Sequence, residues 1–184
     1  MKKIFAMLLA LAMMFSLVAC GGTTAEPTTA PAETVKNVEG TMEELLNKVV
    51  EVQPVEFMGG TMPIDLTDTS EDGLWNIKYN TGLDNADNIT DAAVFGPMMG
   101  SMAFSMVLVR VADAANAAEI TKQMLDNIDT RKWVCMEADT EVAAYYGDVA
   151  MFFMVSSEFA SQTSTDKMLE AFKGICAGEV TVVE

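Results

Sequence analysis

Three cysteines, no histidine and a large surplus of carboxylates define the chemistry open to this chain of 184 residues. Without histidine there is no Ser-His or Cys-His pair and no imidazole-ligated zinc, which closes the commonest hydrolase and metalloprotease arrangements. The glycines are scattered at turns, and none builds a phosphate- or dinucleotide-binding loop. Glu137, Asp139 and Glu141 alternate so that an extended strand would carry all three on one face, as an acid and base pair in a glycosidase requires. In a chain with 27 acidic residues such clusters arise by chance, and a solvated strand end is the simpler expectation. The reading is a protein with no catalytic residue, no metal site and no cofactor.

Cys135 and Cys176 lie in apolar stretches, where a free thiol behaves as a small hydrophobe. The alternative is a disulfide between them, permitted outside the membrane and worth about 3–4 kcal/mol in the chain-entropy model for a loop of roughly 40 residues. Neither belongs to a Cys-x-x-Cys pair. Asp68-Thr69-Ser70-Glu71-Asp72-Gly73 places oxygen residues and a glycine as a calcium loop does, but Tyr79 stands where the bidentate Glu is needed, so an Asp-Gly turn is expected. Met98, Met99, Met102 and Met106 could offer thioethers to Cu(I), although core packing accounts for them more simply. Arg131-Lys132 is the basic cluster, followed by Trp133. Both charges would suit the dipole at the end of the preceding helix; the functional alternative is a partner-docking patch anchored by Trp133.

Cys20 has a different setting. Met1-Lys2-Lys3 precedes an apolar run from Ile4 to Val18, too short to span a bilayer permanently, and a small residue stands before the thiol. Leu17-Val18-Ala19-Cys20 resembles the lipobox of bacterial lipoproteins. The resemblance implies removal of residues 1–19 as a signal peptide, a diacylglyceryl group on Cys20, and a protein held on the extracytoplasmic face of the cell membrane. Two acyl chains supply the anchoring that a single chain does not, at about 0.8 kcal/mol per buried methylene.

Residues 20–40 read as a flexible Thr/Pro linker, since Gly21 to Glu33 contains no aromatic or large aliphatic residue to offset the entropy of ordering. From Thr41 to Glu184 the composition is globular and sufficient for one core. The formal charge is −16, and loss of Lys2 and Lys3 with the signal makes it −18. That field repels nucleic acid and anionic lipid surfaces and tolerates cations or basic proteins.

The elements that must position these residues follow from capping and periodicity. Thr41-Met42-Glu43-Glu44 is a capping box, and Met42, Leu45, Leu46, Val49 and Val50 keep helical spacing until Pro54. Trp75 to Tyr79 alternates like a strand, and Asp87 to Phe95 fits a short helix or turn. Met102 to Val111 is apolar on both alternating faces, which predicts a central strand. Asp113 caps a helix running to about Ile128, Trp133 to Glu137 reads as a strand, and Gly147-Asp148 joins two strands as a hairpin. A last helix spans about Thr165 to Cys176, with Gly178 beyond it. The expected class is α+β, a mostly antiparallel sheet with helices on one face.

The strand Met106 to Val111, the stretch Ile128 to Cys135 and Tyr146-Gly147-Asp148-Val149 resemble small lipid-anchored domains of Gram-positive bacteria, of unknown function, across about residues 75 to 160. The resemblance implies an envelope location and an α+β fold and carries over no catalytic or binding residue. The functional expectation is a non-catalytic binding or scaffolding module of the envelope, with an envelope protein as partner. An extracytoplasmic small-ligand or calcium-binding subunit is the alternative.

Overall fold

The computed structural model describes residues 37–99 and 102–184; the expected signal, Cys20 and nearly all of the linker lie outside the described residues. The capping box forms as expected. Thr41 Oγ1 accepts from the Glu44 amide and the Glu44 carboxylate accepts from the Thr41 amide, starting helix α1 at Met42–Val52 with Met42, Leu45, Leu46 and Val49 buried. Contacts of the fold begin slightly before the expected boundary, because Val38 packs on the core and the Val38 and Gly40 carbonyls accept from Arg110.

The sheet has six antiparallel strands: β1 (Gly59–Pro63), β2 (Ile89–Pro97), β3 (Phe104–Val111), β4 (Thr140–Tyr146), β5 (Val149–Val155) and β6 (Thr181–Val183). Their order is β1-β2-β3-β5-β4-β6. Three further helices are α2 (Glu71–Thr81), α3 (Ala117–Asn127) and α4 (Thr165–Ile175). The hairpin expected at Gly147-Asp148 joins β4 to β5. Gly147 has a φ of 57° and Asp148 does not share that sign, so the first turn position carries the left-handed backbone for which glycine is suited.

The α+β class and the antiparallel sheet are as expected, but the helices cover both faces. Phe104, Met106, Leu108, Met151 and Phe153 pack with α1 and α4. The alternate residues Val107, Val109, Ala150 and Phe152 pack with α2 and α3. Central strands that are apolar on both sides need cover on both sides, so the two-faced pattern of Met102–Val111 already required this arrangement.

Three local readings differ from the structure. Trp75–Tyr79 lies within α2, where Ser70 caps the N-terminus through the Gly73 amide and Gly82 closes the C-terminus at a φ of 77°. Only Gly73, Ile77 and Thr81 are buried along it, one residue per turn, a stripe too thin to stand out against the apparent alternation. Residues 89–97 form β2, in which Ile89, Thr90, Val94 and Phe95 suit a strand and β1 and β3 pair with its two edges; Ala92 and Ala93 give the segment its helical look. Trp133–Glu137 is a turn with one bridge, Trp133 to Met136.

Candidate functional site

The features that bring chemistry-bearing side chains together lie on the α2 and α3 face, where the loop after α3 folds back over α2. Lys132 leaves that loop and points at the last turn of α2. Its Nζ donates to the Tyr79 carbonyl at 3.1 Å and to Ser105 Oγ at 3.3 Å, and Tyr79 Oη donates to the Lys132 carbonyl at 3.3 Å. The Tyr79 carbonyl is among the four that a helix leaves without an intrahelical donor, and a cation suits that end of the dipole. The ammonium also stands 4.8 Å from the Tyr79 ring centroid and 5.4 Å from that of Trp133, within cation–π range.

Burial pushes the Lys132 ammonium down to about 8, against a smaller opposing pull from Asp129. Among the described residues no carboxylate forms an ion pair with it; the pairs present use Lys78, Arg110, Lys122, Arg131 and Lys173. Burial also raises the Tyr79 phenol, with the charge of Asp129 adding to the effect. Together Lys132, Tyr79, Ser105, Trp133, Asn80 and Met62 line a cleft of about 220 Å³. Trp75 stacks on Tyr79 at 4.7 Å and an interplanar angle of 25°, and is 61% exposed. Tryptophan and tyrosine are among the residue types that binding hot spots favour.

The three residues of the expected docking patch therefore separate. Arg131 is exposed and pairs with Glu137 at 3.1 Å, Lys132 turns inward, and Trp133 stands between the Lys132 cleft and a shallower hollow of about 460 Å³ lined by Arg131, Cys135, Met136 and Glu137. Neither basic side chain donates to the end of α3, the helix that precedes them; Lys132 serves α2 instead. Sequence reasoning does not bring Tyr79, Ser105 and Trp75 to this place. Ser105, a buried polar residue in a strand whose other polar residue is Arg110 near the opposite end, is the signal that could have drawn attention to this face.

The other candidates disperse. Glu137 faces Arg131, Asp139 accepts from the amide and hydroxyl of Ser157, which holds its carboxyl below the usual range, and Glu141 is raised by partial burial. Glu137 and Asp139 are thus engaged by different partners. Asp68 to Gly73 becomes the N-terminal turn of α2, and among the described residues no group of three acidic, cysteine or histidine side chains is placed to hold a metal. A Cβ at Gly73 would stand 2.3 Å from the Asp68 carbonyl oxygen, so this glycine is fixed by close approach. Met98 and Met99 are exposed whereas Met106 is fully buried, which separates those thioethers.

Cys135 and Cys176 are free thiols. Cys176 packs on the α1 and α4 side, whereas Cys135 lies between Trp133 and Met136, which pack on the opposite side. The sheet stands between them, so the disulfide alternative is not formed. The buried-thiol expectation fits Cys176 in part: the residue is half-buried, and burial pushes its thiol up to about 12. It does not fit Cys135, which is exposed and has a φ of 61°.

Comparison with protein-family models, with curated proteins and with solved structures finds no match.

Proposed function

We propose that this chain is an exported lipoprotein, anchored through diacylglyceryl-Cys20 to the extracytoplasmic face of the cell membrane, whose acidic α+β domain is a non-catalytic binding module of the envelope. The observation that carries the binding half is the Lys132 cleft, where a partly buried cation without a carboxylate partner lies among Tyr79, Trp133 and the exposed Trp75. The sequence Leu17-Val18-Ala19-Cys20 after an apolar run supports the anchor. The small-ligand form of the alternative is favoured by the concavity of this site. The calcium form has no support from the Asp68–Gly73 turn.

Photo-crosslinking on intact cells tests the reading. A crosslinker in place of Trp75 should capture a defined envelope component, and the capture should disappear in Lys132→Gln. Equal capture from Glu170, on the exposed side of α4, would overturn it. For the anchor, Cys20→Ala should abolish incorporation of labelled fatty acid; continued labelling would contradict the assignment.

A further inference from the structure

We infer that the Lys132 cleft binds a ligand with a single carboxylate, which docks on Lys132 Nζ while its apolar or aromatic body lies against Tyr79 and Trp133. The inference rests on the cleft being the binding surface and names the chemistry it selects.

An ammonium has three donors. Two are spent on the Tyr79 carbonyl and Ser105 Oγ, leaving one for a ligand. Lys48 and Lys167 also lack an ion pair among the described residues, but both are exposed. Among the described lysines, Lys132 alone combines shielding from water with the absence of an ion pair; Asp129 acts on it through space without bonding to it. Removing a cation from water without a counter-charge is unfavourable. A ligand carboxylate would supply both the missing charge and a charge-assisted hydrogen bond. Burial lowers the ammonium by more than the pull of Asp129 raises it, which leaves the charge under-compensated.

Size and field narrow the class. At about 220 Å³ the cleft lies below the roughly 300–1,000 Å³ usual for small-molecule and cofactor pockets. That suits a small acid or the terminal residue of a peptide and is too small for a dinucleotide. The chain carries −16, so a phosphate or polyanion meets long-range repulsion, whereas one carboxylate on an uncharged body meets the least.

Both tryptophans of the chain belong to this region, Trp133 as a lining residue and Trp75 stacked on Tyr79. Intrinsic tryptophan emission of the full chain in dodecylmaltoside micelles therefore reports the cleft. Sodium benzoate is compared with benzamide, and an acetylated tetrapeptide ending in a free phenylalanine with its C-terminal amide. The expected result is a saturable change with at least one acid, about tenfold or more weaker for the matching amide. Affinity for the acid should fall between pH 7 and 9.5 as Lys132 loses its proton. Response to benzoate identifies a free small acid, and response to the tetrapeptide alone identifies a peptide terminus. Lys132→Gln should bring acid binding down to that of the amide; the wild-type acid and amide comparison stands even if this variant fails to fold. Equal binding of acid and amide overturns the carboxylate inference while leaving the cleft as the binding surface. Absence of a saturable change with all four probes also overturns the inference, while the crosslinking experiment judges the cleft by itself.

Discussion

Lys132 and Tyr79 hold each other twice: the lysine ammonium donates to the tyrosine backbone carbonyl, and the tyrosine hydroxyl donates to the lysine backbone carbonyl. The loop after α3 is thereby fastened to the last turn of α2, and Trp75, Tyr79, Lys132 and Trp133 become neighbours although 58 positions separate the first from the last. The same contact that closes the helix end holds a cation away from water. Stability and recognition thus meet at one ammonium.

This shared role has a pH signature. The folded-state pKa of Lys132, about 8, lies below the unfolded value of about 10.4, so between these limits the unfolded chain binds more protons. Raising the pH through that window therefore favours the folded state. Urea unfolding at pH 7 to 10 should show wild type gaining stability relative to Lys132→Met as pH rises. A constant difference across the window would show that the ammonium is not desolvated.

Arg110 and Asp148 form a partly buried ion pair, and the same guanidinium donates to Val38 at 2.9 Å and Gly40 at 2.8 Å. Arg110 thus joins the start of the domain to the β4–β5 turn. Arg110→Ala should cost about 2–3 kcal/mol, somewhat below the range for a fully buried pair because both side chains keep some exposure. It should also open the chain near residues 37–40 to proteolysis. Denaturant unfolding and limited digestion followed by mass spectrometry check both effects; resistance at these residues would show that Arg110 is not what holds them.

Two glycine-to-alanine changes should have opposite signs. Gly174 lies in α4 with no atom within 4 Å of the place an alanine methyl would take, and Gly174→Ala should stabilise by about 0.5–1 kcal/mol through helix propensity. Gly73→Ala forces a methyl against the Asp68 carbonyl and should destabilise the domain and disturb Trp75 emission. Thermal melts with tryptophan fluorescence read both effects.

The thiols should be distinguished by reactivity. A thiol-specific reagent at pH 8 should label exposed Cys135 rapidly, whereas Cys176, with its thiol pushed up to about 12, should react only on unfolding. Peptide mapping of native and urea-treated protein decides this. Rapid native labelling of Cys176 would contradict its packed position.

Much of the scaffold is legible in the sequence because it is written locally. The capping box at Thr41, the two-faced run leading into β3 and the Gly147-Asp148 turn each carry their own signal, and each forms as expected. The site is legible only through Lys132 and Trp133, which draw attention by adjacency. Tyr79 and Ser105 lie 53 and 27 positions from Lys132, and α2 resembles a strand in sequence because Trp75, Ile77 and Tyr79 alternate with Asn76 and Lys78, although Ile77 alone of the three is buried. In β2 the strand-forming Ile89, Thr90, Val94 and Phe95 are mixed with Asp91, Ala92 and Ala93, and pairing on both edges settles the conformation. The helices on the second face are implied by the strand pattern, but their placement depends on tertiary packing.

Direct titration of the Lys132 side-chain nitrogen by NMR in the ligand-free full chain tests the central claim. A midpoint near 8 is expected. A midpoint at the ordinary lysine value of about 10.4 would mean that burial does not outweigh compensation by neighbouring charge, and would contradict the cleft as the place where this domain holds an under-compensated cation.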